Sequence, residues 1–230
     1  MNIIKIIAIT ALTFIISCSS SKESAIEKAQ NASQKYFKAM RYFDQQNYTT
    51  SLRMFEEFSK EYPLNKLHKS SLQMEIMLNI VVKKYSTVDY LAGLYKQSYI
   101  FDKEGVEYAD YAAIIAKVKN LKNIDVSETD AIKTDEKIKT FISIYPNSRY
   151  IATLESNEKK NNKLICESGM KIAQRYCTMN HFLAAISKYK SILNQCTKYS
   201  QKESKFVENE LLNIKTSIIE GKYPECNKIS

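Results

Sequence analysis

The chain has 230 residues with only 4 Gly, 3 Pro and no Trp against 16 Tyr and 9 Phe, a scarcity of turn formers that argues against sandwiches and barrels and leaves helices. Its formal charge of +9 admits nucleic acid, anionic lipid or an acidic protein as partner and alone selects none of them. Setting aside the first 17 residues leaves 213, enough for one sizeable domain or an extended repeat array.

Those first residues read as an export signal: Lys5, an apolar stretch from Ile6 to Ile16, then the small Ser17. As a helix the apolar stretch is about 16 Å long, too short to cross a roughly 30 Å hydrocarbon core, so cleavage is expected. Ile15-Ile16-Ser17-Cys18 resembles a bacterial lipobox, in which Cys18 is lipidated on sulfur and becomes the mature N-terminus. The plainer alternative is an ordinary secretory signal with an incidental cysteine. Acyl chains contribute roughly 0.8 kcal/mol per buried CH₂, so two or three hold a soluble domain durably on a membrane. Ser19 is not the Asp that often retains such lipoproteins in the inner membrane, which points to the inner leaflet of the outer membrane. Export argues against nucleic acid, and the mature charge falls to +8 with the loss of Lys5.

From Glu23 to Lys60 the pattern is helical with a break at Asn47. Ala39, Tyr42, Tyr48, Ser51, Phe55 and Phe58 recur 134 residues later as Ala173, Tyr176, Phe182, Ala185, Tyr189 and Ile192. That offset is close to four repeats of about 34, the tetratricopeptide period. Small residues at Ala39, Ser51, Ala173 and Ala185 let two antiparallel helices approach, while Tyr and Phe fill the space between hairpins. Such aromatic stripes are core.

Between these repeats, residues 66–84 and 87–102 read as a second hairpin whose register the residues do not set. A helix follows over 105–119, then the polar connection NLKNIDVSETD, in which Ser127-Glu128-Thr129-Asp130 can cap the next helix. That helix runs to Tyr145 and stops at Pro146. From Ser148 to Thr178 the only breaker is Gly169, consistent with one long helix joining two repeats. A last helix near 201–219 gives way to a tail with Gly221, Pro224 and Cys226. The fold class is all-α: an α-solenoid of about nine helices in about five tetratricopeptide-like hairpins, the last incomplete.

Four cysteines remain after Cys18, none in CxxC spacing, and His68 and His181 are isolated, so structural disulfides are favoured over a metal site. Cys166 and Cys177 lie on one helix roughly 16 Å apart, beyond the 4.4 to 6.8 Å that a disulfide spans. Cys166 starts the first helix of its hairpin and Cys196 ends the second, so antiparallel packing favours Cys166–Cys196, with Cys177 left to Cys226 or unpaired. No GxSxG, HExxH, P-loop or paired-carboxylate arrangement is present, and Asp44, Asp89 and His181 lack a partner at any supporting spacing. No catalytic residue, metal or cofactor is expected. On the first hairpin Tyr36, Met40 and Phe43, at i, i+4 and i+7, form an apolar line able to accept a peptide, unless a following repeat or the N-terminal segment covers it.

Particular segments carry a family resemblance. Tyr145-Pro146-Asn147-Ser148-Arg149-Tyr150 is similar to a YPNS-x-Y segment that ends the third repeat of the BamD family, lipoproteins of the outer-membrane β-barrel assembly (Bam) machinery. Glu61-Tyr62-Pro63 resembles the end of its first repeat, and Phe182-Leu183-Ala184-Ala185-Ile186 a segment of its fourth. The chain departs in lacking a Pro near Glu104, in a short third-repeat insertion and in a short tail. The resemblance implies a scaffold that does no covalent chemistry. Its C-terminal repeats would hold the periplasmic domains of the barrel-forming subunit, its N-terminal repeats would receive unfolded outer-membrane proteins, and other Bam lipoproteins would be neighbours. It assigns a basic partner-binding position to Lys188, which keeps charge without the bidentate geometry of Arg; simple solvation of its helix is the alternative. The implied boundaries are a signal over 1–17, a lipidated linker over 18–30, repeats over 31–104, 105–146 and 147–220, and a tail over 221–230. Another outer-membrane repeat lipoprotein, a pilotin or a peptidoglycan-associated scaffold, is the competing function.

Overall fold

The structure is a computed structural model that describes residues 25–121 and 128–227. The signal, Cys18 and the Ser127 cap lie outside the described residues. Among these there are nine α-helices and no strand: α1 Ala25–Asp44, α2 Tyr48–Glu61, α3 His68–Val81, α4 Tyr85–Ser98, α5 Lys103–Asn120, α6 Glu128–Ile144, α7 Ile151–Thr178, α8 Phe182–Tyr199 and α9 Gln201–Ile219. Consecutive helices pack as hairpins, so the fold is the all-α, tetratricopeptide-like array. Helix α1 begins inside the stretch read as linker. The chain divides into two compact units, one ending at Ser71 and one starting at Leu72.

One turn closes several of these helices. At α1–α2 the amide of Gln46 donates to Phe43 O (2.8 Å) and that of Asn47 to Tyr42 O (2.9 Å), with Gln46 at φ 59°. The same pair of bonds recurs around Lys83 (φ 64°), Asn180 (φ 62°) and, past α9, Gly221 (φ 67°). This Schellman arrangement satisfies carbonyls left open at a helix end and requires a left-handed residue. Only one of the four is glycine.

In the first unit, Ala39 and Ser51 are wholly buried where α1 crosses α2, and Ser51 Oγ donates to Ala39 O across the contact at 3.0 Å. A small residue lets the backbones approach, and its hydroxyl is satisfied by the neighbouring helix. Phe55 and Phe58 fill the space below. Ser71 Oγ donates to Phe55 O at 3.2 Å, tying the start of α3 to α2.

The second unit carries the other repeats, of which the second and third end in an aromatic pair one turn apart. Tyr95–Tyr99 and Phe141–Tyr145 lie with ring centroids 5.1 and 4.8 Å apart, as Phe58–Tyr62 do at 5.3 Å in the first unit. Lys83 and Tyr95 stand 37 residues after Gln46 and Phe58, which fixes the second repeat's register. Positions equivalent to Ala39, Ser51 and Phe55 are then Ile76, Val88 and Ala92, with branched side chains where the first repeat has small ones. Accordingly the backbones of α3 and α4 approach less closely than those of the other hairpins. Small residues are instead on α5, whose Ala109, Ala112 and Ala116 pack against α4.

Helices α7 and α8 form the most intimate pair. A Cβ on Gly169 would lie 2.4 Å from Ile192 Cγ2, so hydrogen alone fits there. In the equivalent place to Ala32 and Tyr62 of the first hairpin the chain has Cys166 and Cys196, joined by a disulfide with Cα atoms 4.9 Å apart. A second disulfide, Cys177–Cys226, with Cα atoms 5.9 Å apart, straps the tail to α7.

Candidate interaction surfaces

Helix α1 presents two different sides. Tyr36 is half-buried and meets Phe55 and Phe58 edge-on, with centroids 5.4 and 5.7 Å away, and burial raises its phenol pKa. Phe43 is half-buried against Tyr48 at 5.6 Å, and Met40 is half-buried between them in sequence. Tyr36 therefore shares its ring with the hairpin core, and the open part of the line is formed by Met40 and Phe43. Away from this line lie Phe37, 61 % exposed, and the cations Lys38 and Arg41, which border a concavity of about 770 Å³ closed on one side by Glu61 and Tyr62. Lys35 pairs with Glu61 there and sits over the Tyr62 ring.

The YPNSRY segment is a clamp on α5. Tyr145 OH donates to Asp110 Oδ2 at 2.9 Å, and Ser148 Oγ donates to Glu107 Oε1 at 2.5 Å while accepting from Tyr150 N at 3.1 Å. Tyr150 stacks on Tyr111 with centroids 4.0 Å apart, and Arg149 lies over the Tyr150 ring with its guanidinium 5.0 Å from the centroid. Burial and the Asp110 carboxylate push Tyr145 up to about 12, so it stays a donor. Tyr145, Ser148 and Tyr150 thus fix the connection between the third and fourth repeats.

Beside that clamp, α4, α5 and α6 enclose a concavity of about 380 Å³ with Ile114, Phe141 and Ile144 among its lining residues and charges at its rim. Lys96 bridges Asp110 at 2.6 Å, and Asp89 receives Lys117 at 3.0 Å and Lys137 at 3.9 Å. Burial, and then repulsion by Lys117, lower the Lys137 pKa. In the second repeat Tyr95 OH donates to Asp102 Oδ2 (2.6 Å) and accepts from Gln73 Nε2 (2.8 Å), while Asp102 Oδ1 caps α5 through the Gly105 amide at 3.2 Å.

At the C-terminal end the tail is held by more than its disulfide. Asn213 Nδ2 donates to Glu225 O and Gln174 Nε2 to Asn227 O, each at 2.7 Å, and Tyr223 meets Phe182 edge-on at 5.8 Å. Lys188 is half-buried on α8, in the same hairpin as Cys166 and Cys196. Among the described residues no group of three or more His, Cys, Asp or Glu could hold a metal ion, and no helix is long and apolar enough to cross a membrane.

These hairpins, with clamped connections and open concavities, define the class: a tetratricopeptide-like helical repeat protein. Residues 28–217 match the model of the YfiO family, described as outer membrane lipoprotein, and the match runs from α1 to the last turn of α9. The chain belongs to that BamD-like family of outer membrane lipoproteins. No curated protein matches it.

Proposed function

We propose that the chain is a non-enzymatic scaffold subunit of the outer-membrane β-barrel assembly complex, held to the membrane by acylation of Cys18 and facing the periplasm. Its C-terminal repeats would bind the periplasmic domains of the barrel-forming subunit, with Lys188 meeting acidic groups there. The N-terminal repeats would receive unfolded outer-membrane proteins along Met40 and Phe43, with the edge of Tyr36. The observation that carries this reading is the family match over residues 28–217, from α1 into α9. It is supported by chemistry: the cysteines of the described residues are held in disulfides, and the polar clusters around Asp110 and Asp102 brace helices. Repeat arrays of this kind offer extended surfaces that bind other chains.

Affinity purification from detergent-solubilised envelopes tests it. A co-purifying β-barrel subunit is expected, in amounts reduced severalfold by Lys188→Glu. Recovery of pilus components or peptidoglycan fragments without a barrel protein would replace this reading with a pilotin or a wall-associated scaffold.

A further inference from the structure

Helix α1 carries a second, outward stripe that its hairpin does not use. Ile26 is 81 % and Phe37 61 % exposed, and their separation of 11 residues is close to three helical turns, so they share one side. Lys38 and Arg41, both exposed, flank Phe37, while the acids of α1, Glu27 and Asp44, stand near its two ends. An exposed aromatic and an exposed aliphatic side chain beside unburied cations make a surface that a helix can lay on a membrane interface.

Chain length says which surface is within reach. Only six residues, 19–24, lie between Cys18 and the start of α1, so the seven Cα steps span at most about 25 Å when fully extended. The helix itself is about 30 Å long. Even with linker and helix laid end to end, an acylated Cys18 keeps this whole stripe within about 50 Å of the headgroups, at a local concentration no diffusing ligand matches.

We propose that α1 rests on the anionic lipid surface beside its own anchor, with Ile26 and Phe37 entering the interface and Lys38 and Arg41 meeting headgroup phosphates. This orients the first hairpin on the membrane and leaves the Met40 and Phe43 side, about a quarter-turn away, open. The proposal rests on the reading of Cys18 as acylated.

The absence of Trp from the chain supplies the test. Acylated full-length protein carrying Phe37→Trp is reconstituted on vesicles of phosphatidylcholine with about one-third phosphatidylglycerol, and the same protein with Tyr90→Trp serves as the control. Expected are flotation with the vesicles, a blue-shifted emission from the indole introduced at position 37 that 0.5 M NaCl weakens, and no shift at position 90. Each cation near an anionic surface contributes about fivefold in partitioning, so unacylated Cys18→Ala protein with Lys38→Gln and Arg41→Gln should bind these vesicles roughly 25-fold more weakly than Cys18→Ala alone. Flotation with the Phe37→Trp emission unchanged from buffer would leave the anchor standing and overturn the membrane-facing stripe. Failure to float would overturn the anchor and the proposal with it. A shift produced by unfolded carboxymethylated lactalbumin, with none on vesicles, would make the stripe a peptide site instead.

Discussion

Side chains placed against local preference give the sharpest tests. Lys83 occupies the left-handed position of its turn at φ 64°, where a Cβ costs roughly 1 kcal/mol and glycine costs little, as Gly221 does in the equivalent turn after α9. Lys83→Gly is therefore expected to raise stability by about 0.5 to 1 kcal/mol, read as an increased urea midpoint at unchanged slope. A lowered midpoint would mean that the Lys83 side chain contributes more than its backbone strain removes. Tyr189 offers a second case. It is fully buried, its hydroxyl has no hydrogen-bond partner, and burial with the nearby Glu210 carboxylate raises its pKa. The equivalent position in the first hairpin is Phe55. An orphaned buried hydroxyl costs about 1 to 3 kcal/mol, so Tyr189→Phe should be neutral or stabilising by about 1 kcal/mol in thermal melts. A clear loss of stability would reveal a partner for that hydroxyl.

Among the elements, the two disulfides constrain loops of similar size, with sequence separations of 30 and 49, and the chain-entropy estimate for either is about 4 kcal/mol. They should nevertheless differ on removal. Cys166–Cys196 joins the two helices of the closest-packed hairpin, and neither helix can leave without unfolding that hairpin. Cys177–Cys226 holds a short tail, which can detach while α7 to α9 stay folded and so recovers much of the entropy in the native state. Replacing Cys166 and Cys196 together by Ala is expected to cost about 2 to 4 kcal/mol, and replacing Cys177 and Cys226 about 1 kcal/mol, both from denaturant titrations. Equal costs would make the tail an integral part of the fold. Elements like these were legible where residue size carries the packing: the 134-residue recurrence works because Ala39, Ser51, Ala173 and Ala185 all sit wholly buried at helix crossings. The second repeat was legible as a hairpin but not in its register, because Ile76, Val88 and Ala92 reverse that size pattern, and the register shows only in the turn at Lys83 and the Tyr95–Tyr99 pair. For the candidate surfaces, i, i+4, i+7 spacing defines a face of α1 but not the rotation that turns Tyr36 into Phe55 and Phe58. The role of YPNSRY was equally hidden, since Glu107 and Asp110 reach it from a helix 35 to 41 residues upstream.

At the scale of the whole molecule, both disulfides fall in the unit that starts at Leu72, and the unit that ends at Ser71 contains none among its described residues. In an array of stacked hairpins each repeat draws its stability from itself and its immediate neighbours, so a change at one end decays along the chain. Dithiothreitol should then lower amide protection in α7, α8 and α9 by the factor that corresponds to the lost cross-links, about 30-fold or more for 2 kcal/mol, while α1 and α2 exchange as before. Hydrogen–deuterium exchange followed by mass spectrometry, with and without reductant, separates the two behaviours. Equal loss of protection in α1 and α2 would mean that the units unfold as one, and that the N-terminal hairpin depends for its stability on the cross-linked unit. Independence bears on the proposed function, because a first hairpin that keeps its own fold would hold the proposed membrane seat and apolar line whether or not the repeats of the second unit are cross-linked or engaged by the proposed partner.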